Sequence, residues 1–293
     1  MRFDDSRVDS SRLDDRRGTR ISGAGAGIGG LGGLGLIGVV LWLIFGGGGD
    51  PSALLTQDSI SSTTTASSGQ NLSVTCASAE ALENRSECLV LKVFNETDEV
   101  WGDFFAAQGQ AYPEPTLVYF SDSVRTQGCG SASAAAGPFY CPADRSVYLD
   151  LDFLAQLQQQ YGLPGNYATA YIVAHEVGHH IQNITGIESQ VRAQQQRNPS
   201  RANEYSVALE LQADCLAGVW GRRANDGGNV VISPTEYQQA ITAAAAVGDD
   251  RIMAGSGLRV NPEAFTHGSS AQRQEWFTKG FQSGDPASCN FGA

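Results

Sequence analysis

Basic residues are scarce in this chain. Its 293 residues include 19 Lys and Arg against 31 Asp and Glu, which gives a formal net charge of −12. Phosphate backbones are bound by basic surfaces and no basic stripe is present, so the composition excludes nucleic acid as a partner. No internal repeat occurs either. With 41% hydrophobic residues, a chain of this length supports one substantial domain plus attachments.

Charged residues are missing altogether between Ile21 and Gly49. This stretch ends in "LGLIGVVLWLIF", and as a helix it is long enough to cross a bilayer core of about 30 Å. We therefore predict a transmembrane helix at residues 21–45, with a membrane as one partner of the protein. A cleaved signal peptide is the alternative, but no A-x-A cleavage site precedes "GGGGDPSALL", which favours an uncleaved anchor.

The charges beside this span predict its orientation. Arg16, Arg17 and Arg20 precede it, and no Lys or Arg follows until Arg85. Positive residues stay inside, so residues 1–20 are predicted to be a cytoplasmic segment of a single-pass protein in a bacterial inner membrane. Residues 46–71, rich in Gly, Ser and Thr, are predicted to be a flexible tether. Residues 72–293 then form a periplasmic or other extracytoplasmic domain.

The six cysteines contain no C-x-x-C pair, which weakens the hypothesis of a cysteine-ligated zinc. An even number of cysteines suits disulfides in an oxidising compartment. Six cysteines permit 15 pairings, and the sequence does not choose among them. The pairing that closes two short loops and leaves one distant pair joins Cys76 to Cys88, Cys129 to Cys141 and Cys215 to Cys289.

Hydrophobic periodicity predicts an α+β fold, mostly helical with a small sheet. Strand patterns occur in "PTLVYFSDSV" (residues 115–124) and "SVYLDLDF" (residues 146–153). Helical patterns occur after Gly165, at about residues 201–223, at residues 237–245 and in "AQRQEWFTKGF". The segment "SVYLDLD" has two interpretations of equal weight, an exposed edge that adds a substrate peptide as a strand or an ordinary core strand.

Histidine is also scarce. The chain has four histidines, and three of them lie in "AHEVGHH". His175, Glu176 and His179 match H-E-x-x-H, in which two imidazoles one helical turn apart point to one place, a spacing that suits zinc. The glutamate between them can act as a general base without binding the metal. The pattern alone is moderately specific, since many helices contain it by accident.

A catalytic zinc takes three protein ligands and keeps one open position. The metzincin pattern needs Gly at 182 and His at 185, where this chain has Gln182 and Thr185. The alternative is a glutamate on a following helix, and Glu210 in "ELQAD" fits. Asp214, one turn further on, is expected to accept a hydrogen bond from a ligand histidine and so fix its tautomer.

The other polar candidates have two interpretations each. His267, the only histidine outside the cluster, is either structural or a donor to an oxyanion that develops on a carbonyl. His180 is turned away from the metal-facing side, which favours a structural or surface role. Asp249 and Asp250 lack a calcium-binding loop pattern, so a turn or helix cap is expected for them.

Four segments together, "AHEVGHH", "LELQADCLAGVW", "VGDDRI" and "FTHGSSAQRQEWFTKGFQSGD", resemble the bacterial family of neutral zinc metallopeptidases, over nearly the whole chain. The site is also similar to gluzincin membrane proteases that pair H-E-x-x-H with E-x-x-A-D. The resemblance implies a zincin-like fold, Zn²⁺ as cofactor, a general base and a residue that supports the ligands. The implied ligands are His175, His179 and Glu210, with Glu176 as the base and Asp214 as the support.

Those proteases also carry a histidine followed six residues later by an arginine. His267 and Arg273 keep that spacing, although Gly268 replaces a proline of their pattern. The resemblance therefore implies a catalytic role for His267 at the oxyanion and a supporting role for Arg273.

Together these features predict a membrane-anchored, zinc-dependent metalloendopeptidase that hydrolyses peptide bonds in a peptide or protein substrate. The alternative from another class is a membrane-tethered binding or scaffold protein with a structural or latent zinc site. Chelation distinguishes them, because a structural site loses fold stability without metal and a catalytic site mainly loses activity. The sequence gives no indication of oligomeric state.

Overall fold

The computed structural model describes residues 1–4, 8–18, 72–160, 162 and 165–290. Within these residues it contains ten α-helices and eight short strands, so the predicted mainly helical chain with a small sheet is found. The helices are α1 (Leu72–Thr75), α2 (Ala79–Asn84), α3 (Ser86–Ala107), α4 (Leu151–Gln160), α5 (Asn166–Ile184), α6 (Ile187–Arg197), α7 (Ala202–Gly227), α8 (Pro234–Ala246), α9 (Asp249–Gly255) and α10 (Ser270–Ser283). The strands are β1 (Arg2–Phe3), β2 (Leu13–Asp15), β3 (Thr116–Phe120), β4 (Ser123–Arg125), β5 (Ser131–Ser133), β6 (Phe139–Cys141), β7 (Ser146–Asp150) and β8 (Val230–Val231).

The main sheet has the strand order β2-β3-β7-β6, with β6 antiparallel to β7 and the other neighbours parallel. Strand β7 is buried along its whole length between β3 and β6. Of the two interpretations of "SVYLDLD", the core strand is therefore correct. The exposed-edge interpretation is wrong, because β6 occupies the edge of the sheet instead.

Residues near the N-terminus belong to this architecture. Strand β2 pairs with β3, and β1 pairs with β8. Arg12, just before β2, donates hydrogen bonds to the Asp98 carboxylate on α3 and to the carbonyl oxygen of Pro115. An ion pair between a half-buried arginine and a buried carboxylate thus fastens the N-terminal strand to the helical layer.

The predicted transmembrane helix and single-pass location need correction. Among the residues that the structure describes, no helix combines the length and the apolar character required to cross a membrane. The predicted span at 21–45 and the tether at 46–71 lie outside the described residues. In addition, β2 is hydrogen-bonded to β3, whereas the predicted topology puts a membrane between them. A cytoplasmic N-terminus with a periplasmic domain is therefore wrong, while the domain boundary at residue 72 stays a prediction.

The prediction that the cysteines form disulfides is confirmed, and the structure decides the pairing that the sequence left open. The structure joins Cys76 to Cys88, Cys129 to Cys141 and Cys215 to Cys289. The second of these ties the loop after β4 to the edge strand β6, and the third ties the C-terminal segment to α7 across 74 residues. Such bonds persist in oxidising compartments.

Close packing of helices sets the position of the two segments that carry the candidate metal ligands. A Cβ atom added to Gly178 of α5 would lie 3.0 Å from the carbonyl oxygen of Ala213 on α7. One added to Gly280 of α10 would lie 1.9 Å from the carbonyl oxygen of Cys215. At Gly280 any side chain would push the helices apart, and at Gly178 a side chain would need the facing backbone to move by a few tenths of an ångström.

Candidate metal centre and cleft

Helix α5 brings His175 and His179 together, as their spacing predicts. Residues at the helical period, among them Ala170, Val173 and Val177, are fully buried and hold the helix in the core. The two imidazole rings face each other edge to face, with centroids 4.8 Å apart. Their Nε2 atoms both face one carboxylate on the neighbouring helix α7.

That carboxylate is Glu210. Its Oε2 lies 3.2 Å from Nε2 of His175, and its Oε1 lies 3.6 Å from Nε2 of His179. One ligand atom from each of the three residues fits within 4.8 Å of the others. With bonds of about 2.0–2.1 Å, ligand atoms around a tetrahedral zinc lie roughly 3.3–3.4 Å apart. The two separations between histidine and glutamate are close to this spacing, and small side-chain shifts bring all three atoms to it.

Asp214 supports the first of these histidines. Its carboxylate accepts hydrogen bonds from Nδ1 of His175 at 2.8 Å, from the Tyr171 hydroxyl, and twice from the guanidinium of Arg273 at 2.7 and 2.9 Å. Asp214 and Arg273 are both buried. Although burial opposes ionisation, Arg273 and His175 keep the pKa of the Asp214 carboxyl below its usual range. A buried ion pair thus fixes the orientation of one candidate ligand.

The second histidine is supported by a residue that sequence reasoning missed. His179 donates from Nδ1 to the side-chain oxygen of Gln182 at 2.9 Å. The amide nitrogen of Gln182 donates in turn to the carbonyl oxygen of Leu209 and to Gln212, both on α7. The sequence did contain a signal for this role of Gln182, because it is a polar residue three positions after a candidate ligand on the same helix. Tyr171, one turn before His175, carried the same kind of signal.

Glu176 is a buried carboxyl group between these ligands, and it borders two cavities. Burial raises the pKa of Glu176, against the opposing effect of His175 and His179. A carboxylate whose pKa is moved upward toward neutrality accepts protons more readily, which is the property that a general base needs.

His267 is buried and lies at the same cleft. Its Nδ1 lies 3.0 Å from Oδ1 of Asp249, and Oδ2 of Asp249 accepts hydrogen bonds from the backbone N–H groups of Thr266, His267 and Gly268. Asp249 is not the cap of α9, whose N-cap is Gly248. The carboxylate of Asp249 holds the turn that carries the histidine instead. Gly268 has φ +90°, which proline cannot adopt, and this explains the departure from the H-P pattern.

The cleft over these residues has a volume of about 440 Å³. Glu176, Glu210 and His267 line one wall. Pro138 and Tyr140, from the edge strand β6 and the loop before it, line another. The disulfide at Cys129 closes that loop. The candidate ligands therefore lie in a groove that is bordered by a sheet edge and open to a ligand of peptide size.

His180, the third histidine of the cluster, has a structural position. It is fully buried, donates from Nε2 to the carbonyl oxygen of Pro113 at 2.7 Å, and accepts from the Tyr140 hydroxyl at Nδ1. Tyr140 also accepts a hydrogen bond from Asn183 of α5. These bonds hold the edge strand β6 against the helix that carries H-E-x-x-H.

The stability of the fold is expected to depend on pH through His180. Burial lowers the pKa of His180 to about 4, whereas an unfolded histidine titrates near 6.5. Between these values the unfolded chain binds more protons, so the stability that His180 contributes is present above pH 6.5 and is lost as the pH falls toward 4. Over this range the free energy of unfolding of the wild type should fall by about 3 kcal/mol relative to that of His180→Gln, whose amide retains a donor and an acceptor.

Chemical denaturation at several pH values, with a chelator present, tests this expectation. The other histidines titrate in both proteins and cancel in the difference between them. A difference in unfolding free energy that does not change between pH 7 and pH 4 would contradict it.

The fold and the site together define a class. A mainly helical domain with a small sheet, in which two histidines of one helix and a glutamate of another meet at one point beside a cleft, is compatible with an α+β zincin-like domain. Only such a convergence of histidine and carboxylate atoms distinguishes this helix from others that carry H-E-x-x-H by chance.

The chain belongs to the family described as "Putative neutral zinc metallopeptidase", whose model matches residues 1–291. The resemblance to this family is thereby confirmed, and the family implies zinc as the ion for the cluster. The uncharacterized protein YpfJ of Escherichia coli (strain K12) is 47% identical over 195 residues, which are 66% of this chain and 67% of that protein.

A second relative is the uncharacterized protein Mb2605 of Mycobacterium bovis. It is 43% identical over 253 residues, which are 83% of each chain. The uncharacterized protein Rv2575 of Mycobacterium tuberculosis gives the same identity and coverage. No solved structure gives a significant match to this chain.

Proposed function

We propose that the protein is a zinc-dependent endopeptidase that hydrolyses peptide bonds in the cleft beside α5. The observation that carries the proposal is the arrangement of His175, His179 and Glu210, with a non-ligand carboxylate, Glu176, at the same cleft. A purely structural zinc site is closed by four ligands and needs no such base. Family membership supports the same class of reaction.

In this proposal the three residues hold the ion, and Asp214 and Gln182 orient the two imidazoles through their Nδ1–H groups. When bound, zinc supplies Lewis-acid polarisation of the substrate carbonyl and lowers the pKa of water toward 7. Both histidines would offer Nε2 to the ion, because Nδ1 of each carries the hydrogen that its partner accepts.

Glu176 moves the proton. Its carboxylate accepts a proton from the attacking water and passes it to the nitrogen of the leaving amine, so the C–N bond breaks as a neutral amine departs. Burial excludes bulk water from this carboxylate and raises its pKa toward that of an effective base.

His267 is proposed to act on the carbonyl oxygen. Its Nδ1 is engaged by Asp249, which leaves Nε2 to donate to negative charge that develops on the substrate oxygen. Arg273 is proposed to act at a distance, through its two hydrogen bonds to Asp214.

The substrate is proposed to be an extended peptide. The edge strand β6 borders the cleft and is fixed to α5 by the hydrogen bonds of Tyr140. An extended segment can add to such an edge through main-chain hydrogen bonds, which hold many sequences with little selectivity.

Metal removal and restoration test the proposed function in the full-length protein. We expect one zinc per chain, loss of hydrolysis of an unfolded protein substrate after chelation, and recovery after stoichiometric zinc is returned. Circular dichroism before and after chelation monitors the fold, which should persist because disulfides and a large core hold it. Full zinc occupancy without hydrolysis would contradict the proposal and support a structural or latent zinc site.

A further inference from the structure

A second, smaller cavity lies against the same catalytic candidates. Its volume is about 60 Å³, and it shares Pro138, His175 and Glu176 with the main cleft. A group that occupied it would therefore lie directly beside the candidate base and one candidate metal ligand. The shared residues place it next to the candidate site.

Away from His175 and Glu176, the walls of this cavity are mostly apolar. Phe153 and Leu157 come from α4, Ile172 from α5, and Val247 and Ile252 from the region of α8 and α9. The one cation at the wall, Arg273, is engaged by both oxygens of Asp214 and by the carbonyl oxygen of Val247. Its charge is thus compensated within the protein, and an anionic ligand group would find no free partner in this arginine.

We propose that this apolar pocket, lined by Phe153, Leu157, Ile172, Val247 and Ile252, receives the substrate side chain next to the scissile bond and selects small aliphatic residues. The inference rests on the proposed function and specifies its substrate. Apolar walls favour an aliphatic group by the free energy of transfer from water. A position beside Glu176 places that group at a residue flanking the bond that is cut.

The size of the pocket sets the selectivity. Liquid water occupies about 30 Å³ per molecule, whereas benzene fits a cavity of about 150 Å³. A cavity of about 60 Å³ accordingly takes up to about three non-hydrogen atoms. It admits the single carbon of an alanine side chain or the three carbons of a valine side chain and excludes an aromatic ring.

Leu157 is the position with which to test this size limit. It lines the pocket from α4 and is not a candidate metal ligand. Leu157→Ala should enlarge the pocket. Leu154→Ala is the matched control, since Leu154 is equally buried on the same helix and does not line the pocket. Ile252→Ala enlarges the pocket from another helix, in case one variant folds poorly.

Cleavage of a mixture of random peptides by the full-length, zinc-loaded protein, with products identified by mass spectrometry, gives the first measurement. The wild type should prefer Ala or Val over Phe at one position flanking the cut by at least about tenfold in kcat/KM. Leu157→Ala and Ile252→Ala should move that preference toward Leu and Phe by about tenfold, and Leu154→Ala should leave it unchanged.

Binding without turnover gives a second measurement. N-acetyl-valinamide should bind the wild type at least about threefold more tightly than N-acetyl-phenylalaninamide in calorimetry, and Leu157→Ala should reverse this order. Cleavage without a preference for small residues, or an equal shift in Leu154→Ala, would overturn the inference while leaving the proposed function intact. If the zinc-loaded wild type cleaves no peptide, the proposed function fails and the inference falls with it.

Discussion

Replacement of Glu176 with Gln is expected to abolish peptide hydrolysis while zinc stays bound. The amide has nearly the same shape as the carboxyl group but accepts no proton at neutral pH, so the attacking water loses its base. General-base catalysis contributes about 10²- to 10⁴-fold, and kcat should fall by at least that factor. His175, His179 and Glu210 are untouched, so zinc should remain at one ion per chain.

Two further substitutions make this result specific. Glu210→Gln changes a candidate ligand in the same cleft by the same number of atoms and should lower zinc affinity as well as activity. Glu204→Gln alters an exposed carboxylate that pairs with Arg201, and it should leave both properties unchanged. Metal analysis and steady-state kinetics on the three variants distinguish loss of the general base from loss of zinc. Hydrolysis by Glu176→Gln at the wild-type rate would show that another group takes the proton.

Replacement of Asp214 with Asn is expected to have the largest effect on stability. The carboxylate accepts four hydrogen bonds, from Tyr171, His175 and Arg273, and the whole group is buried. The amide has one acceptor fewer and presents N–H groups to the guanidinium. Loss of one partner leaves Arg273 as an uncompensated buried charge, which costs about 3–5 kcal/mol.

The same substitution should also weaken metal binding by about 10- to 100-fold, because His175 loses the carboxylate that fixes its tautomer and raises its basicity. Denaturation of the metal-free protein measures the first effect, and competition with a chelator measures the second. Asp226→Asn on the same helix is the matched control, since Asp226 is exposed, pairs with Arg222 and should change stability by less than about 0.5 kcal/mol. Equal stabilities of the two variants would refute the role given to Asp214.

The sequence predicted the parts of the site that depend on local geometry. His175 and His179 share a helix, and a separation of four residues brings two side chains together on any helix. The distance of Asp214 from Glu210 is set in the same way. Because these relations need only the helical period, periodicity and the E-x-x-A-D pattern were sufficient to find them.

Relations between segments were predicted less well. Gln182 and Tyr171 gain their roles from contacts with α7 and α10, and neither belongs to the recognised motifs. The strand at Ser146–Asp150 was recognised, but its central place in the sheet depends on which strands pair with it. The N-terminal residues were assigned to a different compartment from the domain, because nothing in "LDD" indicates that it pairs with β3.

By itself, then, the sequence determined the helix that carries the pair of histidines with the glutamate between them, and the family to which the chain belongs. It did not place every helix, since residues 151–153 of the predicted strand begin α4. The tertiary structure decided which strand forms the edge of the cleft, how Asp249 holds His267, and where an apolar pocket meets Glu176. The physical reason is the range of the interactions. Helical periodicity and cap residues act within a few positions, whereas pockets, sheet order and buried ion pairs arise between residues tens of positions apart.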